Sequence, residues 1–119
     1  MKKKDAGLIV FFGTKDLENT HRFYHETLGF PLFKDQGLCR IYDVEGGGKI
    51  GFCQHIETLK TEKSPIITLV VEDVDGYYNK LRKKSIEVMH PPRENPKFKI
   101  YHFFLEDPNG YTLEIQKFL

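Results

Sequence analysis

Asp107-Pro108-Asn109-Gly110-Tyr111-Thr112-Leu113-Glu114-Ile115 reads as a tight turn that launches a final strand. Proline presets φ, and Asn or Gly tolerates positive φ, so Pro108-Asn109-Gly110 fixes the turn. Leu113 and Ile115 then alternate with Thr112, Glu114 and Gln116, the period of a half-buried strand. With the apolar pair against a core, Glu114 faces the other side of the sheet. A carboxylate on a concave face would be a metal ligand or an acid/base. On a convex face it is a solvated charge, and the motif taken alone favours that plainer reading.

Working outward, the chain repeats one plan. Leu8-Ile9-Val10-Phe11-Phe12 runs into Asp16, and Ile66-Ile67-Thr68-Leu69-Val70-Val71 runs into Asp73. Both aspartates are natural N-caps, because their carboxylates accept from the free amides of a first helical turn. Leu17, Thr20, Phe23, Tyr24 and Leu28 recur at helical spacing, and Gly29 ends the pattern. Val74, Tyr77, Tyr78 and Leu81 do the same in the second half, with Gly76 as a weak spot. Three strand-like runs follow each helix: 30–34, 38–44 and 49–55, then 86–90, 99–106 and 111–117. Gly46-Gly47-Gly48 precedes a strand and lacks a following Lys-Ser/Thr, so it reads as a hairpin turn and not a phosphate loop. Pro91-Pro92 and Pro96 bracket a loop that cannot easily join a ladder. The order strand-helix-strand-strand-strand, twice, predicts an α+β fold of mainly antiparallel sheets.

The 119 residues fit a single domain. It divides into a first module at about 6–56, a polar linker at about 57–64 and a second module at about 65–119. Eighteen basic against seventeen acidic residues give a net charge of +1, which offers no electrostatic case for nucleic acid. Lys2-Lys3-Lys4 reads as a solvated tail, not the start of a signal peptide. No apolar run is long enough to span a bilayer. Cys39 and Cys53 sit in apolar runs without metal-ligand spacing, and are expected as free thiols in a reducing cytoplasm. Ten Phe and six Tyr suit a packed core or an aromatic-lined cavity.

The run from Asp16-Leu17 through Phe23-Tyr24 to Leu28-Gly29-Phe30, the Val71–Val74 segment, and Asp107-Pro108-Asn109-Gly110 leading to Glu114 resemble the vicinal oxygen chelate superfamily. That superfamily includes glyoxalase I, fosfomycin-resistance proteins, extradiol dioxygenases and bleomycin-resistance binding proteins. The resemblance covers nearly the whole chain. It implies paired βαβββ modules whose curved sheets form a cleft for a small molecule, usually in a homodimer. It also implies metal ligands on the first and last strands of each module. Those positions fall on Ile9, Gly51, Ile66 and Glu114, and only Glu114 carries a donor. One carboxylate is too few for a fixed divalent ion.

On this resemblance His102 and Phe104 face the cleft, with His102 close to Glu114. The same alternation sends Arg40 and Tyr42, with Leu38, toward the cleft and Cys39 and Ile41 under the helix. Arg40 then pairs with Glu114 or with an anionic ligand, or else sits at a sheet edge in water. Phe11, Thr68 and Cys53 complete the expected cleft lining. His21 and His25 read as surface, and His55 and His90 have no spacing that suggests a site. The expected function is binding of a small organic molecule in an aromatic-lined cleft, without a metal or other cofactor. The alternative is a metal-dependent lyase, isomerase or resistance transferase of the glyoxalase type, with Glu114 as catalytic candidate and Glu114 and His102 as candidate ligands of one divalent ion. A regulatory module without catalysis is the third class.

Overall fold

The structure, a computed structural model, describes residues 7–58 and 65–119. The Lys2–Lys4 tail and most of the expected linker, 59–64, lie outside the described residues. The chain forms two compact units, Met1–Leu59 and Lys60–Leu119.

The first unit runs β1 (Ile9–Gly13), α1 (Leu17–His21), β2 (Leu32–Asp35), β3 (Cys39–Asp43) and β4 (Lys49–Cys53). The second repeats it with β5 (Ile67–Val70), α2 (Val74–Lys83), β6 (Arg93–Asn95), β7 (Ile100–Glu106) and β8 (Thr112–Phe118). The sheet orders are β1-β4-β3-β2 and β5-β8-β7-β6. The hairpins are antiparallel, and the last strand of each unit returns parallel beside the first. Each helix is the crossover that this parallel pairing requires. No helix among the described residues is long and apolar enough to cross a membrane.

Both helices start where capping chemistry puts them. Asp16 accepts from the Asn19 amide at 3.0 Å, and Asp73 from the Gly76 amide at 2.9 Å. A Cβ at Gly76 would run into the Asp73 carboxylate, so this glycine makes room for its own cap. The first helix departs from an even α-helical pattern. Beyond His21 it widens into a π-helical segment, Arg22–Thr27, closed by Leu28 N–H donating to the Phe23 carbonyl at 2.9 Å. Phe23, Tyr24, Thr27 and Leu28 are all buried there.

Two turns set the register. Gly46, Gly47 and Gly48 all take positive φ (82°, 126° and 81°), which lets β3 fold directly onto β4. At the second turn, Asp107 Oδ1 accepts from the Asn109 and Tyr111 amides, both at 2.8 Å. The Asp107 amide donates to the Tyr111 carbonyl at 2.9 Å, and Gly110 takes a φ of 87°. Asp107 is therefore a buried carboxylate consumed by its own turn.

The core of each unit lies between its helix and one face of its sheet. Tyr24 packs on Phe52 at 4.5 Å between ring centroids, and Phe12 lies 6.0 Å from Phe52. In the second unit Tyr78 meets Phe103 edge-on at 5.6 Å, and Leu105, Leu113 and Ile115 are fully buried.

Three expectations are corrected here. The strand expected at 86–90 is absent, and the edge strand is Arg93–Asn95, inside the proline-bracketed segment. An edge strand tolerates flanking prolines, since only one side of it needs donors. Met89 still donates to the Phe104 carbonyl at 2.8 Å, pinning the preceding loop to β7. Cys39 and Cys53 are not free thiols: they are cross-strand neighbours with Cα atoms 4.1 Å apart, joined as a disulfide. His21 and His25 are not simple surface residues. They stack at 4.8 Å, with His21 Nδ1 2.8 Å from the Tyr42 hydroxyl and His25 Nδ1 2.7 Å from the Phe30 carbonyl.

The two faces of β7 give a direct check. Phe103→Ala removes a fully buried ring and should cost about 3–5 kcal/mol. Phe104→Ala, half-buried on the other face, should cost roughly 1 kcal/mol. Urea unfolding of the two variants measures both, and the reverse order would overturn the register.

Candidate functional site

On the face of the second sheet turned from α2, the pairings Thr68 with Glu114, Phe104 with Glu114 and His102 with Gln116 set these side chains next to one another. Glu114 is 8 % exposed and His102 6 % exposed. A buried carboxylate needs partners to offset its lost hydration. Glu114 has two: Thr68 Oγ1 donates to Oε1 at 2.9 Å, and His102 Nδ1 lies 2.7 Å from Oε2. A carboxylate only accepts, so the proton of this contact sits on Nδ1 of the imidazole. In the neutral ring, Nε2 then keeps the lone pair.

Rings close in around this pair. His102 meets Phe104 at 5.2 Å, and His90 lies 5.8 Å from both, all edge-on. His90 Nδ1 contacts the Pro91 carbonyl at 2.8 Å, while its Nε2 is buried without a hydrogen-bond partner. His90 was passed over because the sequence reading put it at the end of an expected strand, 86–90, which the structure does not form. The available signal was Pro91-Pro92, which stiffens the backbone beside it.

Four of the candidate residues, Thr68, His102, Phe104 and Glu114, thus converge on one face. In the first unit Phe11 and Cys53 lie on the equivalent face, turned from the helix. Arg40 and Tyr42 do not. They pair with Phe52 and Ile50, which lie on the helix side, while Cys39 and Ile41 take the other face. Arg40 donates to Glu18 of α1 at 2.6 Å and lies 3.5 Å from Asp35. Its counter-charges are these two carboxylates and not Glu114. The Arg40 hydrogen bond holds the Glu18 carboxyl below its usual range. Burial pushes the Tyr42 hydroxyl up to about 12 and lowers the neighbouring His21. These groups brace the helix against the sheet.

Residues 9–115 match the Glyoxalase/Bleomycin resistance protein/Dioxygenase superfamily. The chain belongs to that superfamily. Solved structures with the same fold include an integron cassette protein from the mobile metagenome of the Halifax Harbour sewage outfall. It is 24 % identical, with a TM-score of 0.78 over 94 % of this chain and 97 % of that one. A glyoxalase/dioxygenase from Nostoc punctiforme is 13 % identical, with a TM-score of 0.79 over 100 % and 95 %. A lactoylglutathione lyase from Agrobacterium tumefaciens is 18 % identical, with a TM-score of 0.72 over 98 % and 96 %. At these identities the likeness is one of fold. No curated protein matches the chain.

The superfamily resemblance implies a divalent metal at Ile9, Gly51, Ile66 and Glu114, and these residues do not fit one. Two isoleucines offer no lone pair. A Cβ at Gly51 would stand 2.6 Å from the Phe11 ring, which fills the space a ligand side chain would need. Glu114 is left as a single carboxylate, too few donors for a fixed divalent ion.

The His102–Glu114 contact makes a spectroscopic prediction. Long-range proton–nitrogen correlation spectra should find the neutral His102 ring protonated at Nδ1. Glu114→Ala should move that proton to Nε2 and cost about 1–3 kcal/mol, since it strands a buried donor. A wild-type ring protonated at Nε2 would contradict the contact.

Proposed function

We propose that this superfamily member binds a small organic molecule on the His90–His102–Phe104–Glu114 face of its second unit, without a metal at the superfamily's ligand positions. The observation that carries the reading is that Glu114, the one donor left at those positions, is bound at one oxygen by Thr68 and at the other by His102. A carboxylate held in that way orients the imidazole beside it and fixes which ring nitrogen carries the proton. The edge-on rings of His90, His102 and Phe104 offer apolar contact, and the buried Nε2 of His90 lacks a donor. A ligand with an apolar body and one hydrogen-bond donor satisfies both features. Bleomycin-resistance binding proteins of this superfamily work by sequestration, and that is the mode of action proposed.

Catalysis is the second reading, in line with the lactoylglutathione lyase among the structures of like fold. A specific observation favours it. Glu114 fixes the His102 tautomer, leaving Nε2 to accept a proton from a bound molecule, as a general base does.

A panel of small aromatic and polar organic compounds, screened by thermal shift and followed by calorimetry, tests the proposal. Hits should bind equally well with and without EDTA, and Phe104→Ala and Glu114→Gln should each weaken them about tenfold or more, at least 1.4 kcal/mol. A divalent ion at one per chain that Glu114→Ala releases would overturn the metal-free reading. Hits indifferent to both substitutions would overturn the site.

The homodimer is also a proposal. Phe11, Ile66 and Val70 stay 44 %, 54 % and 45 % exposed on or beside the first strand of each unit, which is a sheet edge. Exposed apolar residues grouped on an edge mark a surface for self-association. Light scattering should give twice the 13.9 kDa chain mass, and a concentration-independent monomer would count against it.

A further inference from the structure

Cys39 and Cys53 face each other across β3 and β4, and a third donor stands over them. His55 follows β4 in a turn held by Gln54 N–H donating to the Leu38 carbonyl at 2.8 Å. Its Nδ1 lies 4.0 Å from Cys39 Sγ, and the two sulfurs and the imidazole nitrogen all fall within 4.8 Å of one another. The cysteines are buried, while His55 is exposed. None of the three occupies a superfamily ligand position.

In the oxidised chain the sulfurs are bonded to each other and offer no thiolate. A dithiol reductant supplies two electrons and two protons. The S–S bond breaks, two Cys S–H groups form, and the reductant closes to its own disulfide. The reduced pair plus His55 is a Cys₂His donor set, which suits a thiophilic divalent ion with the fourth position open. Zn–S bonds of about 2.3 Å and Zn–N bonds of about 2.0–2.1 Å place tetrahedral ligand atoms roughly 3.5–3.8 Å apart. From 4.0 Å the His55–Cys39 spacing closes by about half an ångström, the widest separation, within 4.8 Å, by about 1 Å, and the two sulfurs part once their bond is reduced. Binding then releases the two thiol protons.

We propose that Cys39, Cys53 and His55 form a redox-gated site for a thiophilic divalent cation such as zinc, closed as the disulfide and open when reduced. The ion and the disulfide compete for the same two sulfurs, so each excludes the other.

The experiment uses the full chain in two forms, air-oxidised and reduced with a phosphine that is then removed without oxygen. Both are titrated with Co²⁺ and then with Zn²⁺. The reduced form should develop a thiolate-to-cobalt charge-transfer band and tetrahedral ligand-field bands at one ion per chain, bleached by Zn²⁺. The oxidised form should take up none. Cys53→Ser should abolish the bands, His55→Ala should weaken them, and Glu114→Ala should leave them unchanged. Where a variant fails to fold, wild type suffices: Zn²⁺ should protect both reduced thiols from iodoacetamide, read by mass. No uptake by the reduced chain, uptake indifferent to Cys53→Ser, or two free thiols in the air-oxidised protein would each overturn the proposal. A result that fails here leaves the Glu114 face untouched, because its ligands and its metal test are separate.

Discussion

Everything chemical in the second unit depends on the antiparallel pairing of β7 with β8. That pairing is set by one carboxylate, Asp107, which accepts from two amides and ties the turn shut. Residues equidistant from Asn109 then face each other: Asp107 with Tyr111, and Phe104 with Glu114. A slip of one residue would turn Leu113 and Ile115 out of the apolar layer and send Glu114 into it, where no partner waits for a charge. The turn therefore decides whether this carboxylate is satisfied, which is why so much of its own polar capacity goes into holding the backbone.

The same rule explains what was legible in the sequence and what was not. Asp16 and Asp73 announced their helices, and Pro108-Asn109-Gly110 announced its turn, because each acts over a few residues of backbone. Glu114, Phe104, His102 and Thr68 could be placed on one face from alternation alone. Arg40 and Tyr42 were assigned to the wrong face because strand parity was carried over by resemblance, without being counted from a turn. The count was available: the hairpin centred on Gly46 pairs Cys39 with Cys53 and Ile41 with Gly51. It would have put Arg40 on the helix side and brought the cysteines together. His90 and the Arg93–Asn95 strand lie among prolines, where local pattern carries no face and tertiary pairing decides.

Arg40 illustrates how a charge expected at a ligand site serves the scaffold instead. Glu18 projects from α1 and Asp35 from β2, so the guanidinium ties a helix and a strand to β3. Exposed pairs of this kind contribute little to stability individually. Their value here is geometric: with Tyr42 and His21 they hold the start of the helix on the sheet while the π-helical turns beyond it accommodate Tyr24 and Phe23. The opposite face is thereby left for side chains that the core does not need.

The two units use that freedom differently. Thr68 beside Glu114 corresponds to Phe11 beside Gly51, since both are parallel partners of the last strand. Counting outward from the two turns, His102 corresponds to Cys39 and Gln116 to Cys53. One unit therefore carries oxygen and nitrogen donors at positions where the other carries two sulfurs and an aromatic ring. Hard oxygen donors and an imidazole suit proton handling and polar recognition, whereas paired thiols suit soft ions and electron exchange. A single βαβββ frame, with its register pinned at a glycine or asparagine turn, presents either set at the same backbone spacing. The chemistry of each face thus follows from side-chain identity at two paired positions and not from any difference in fold.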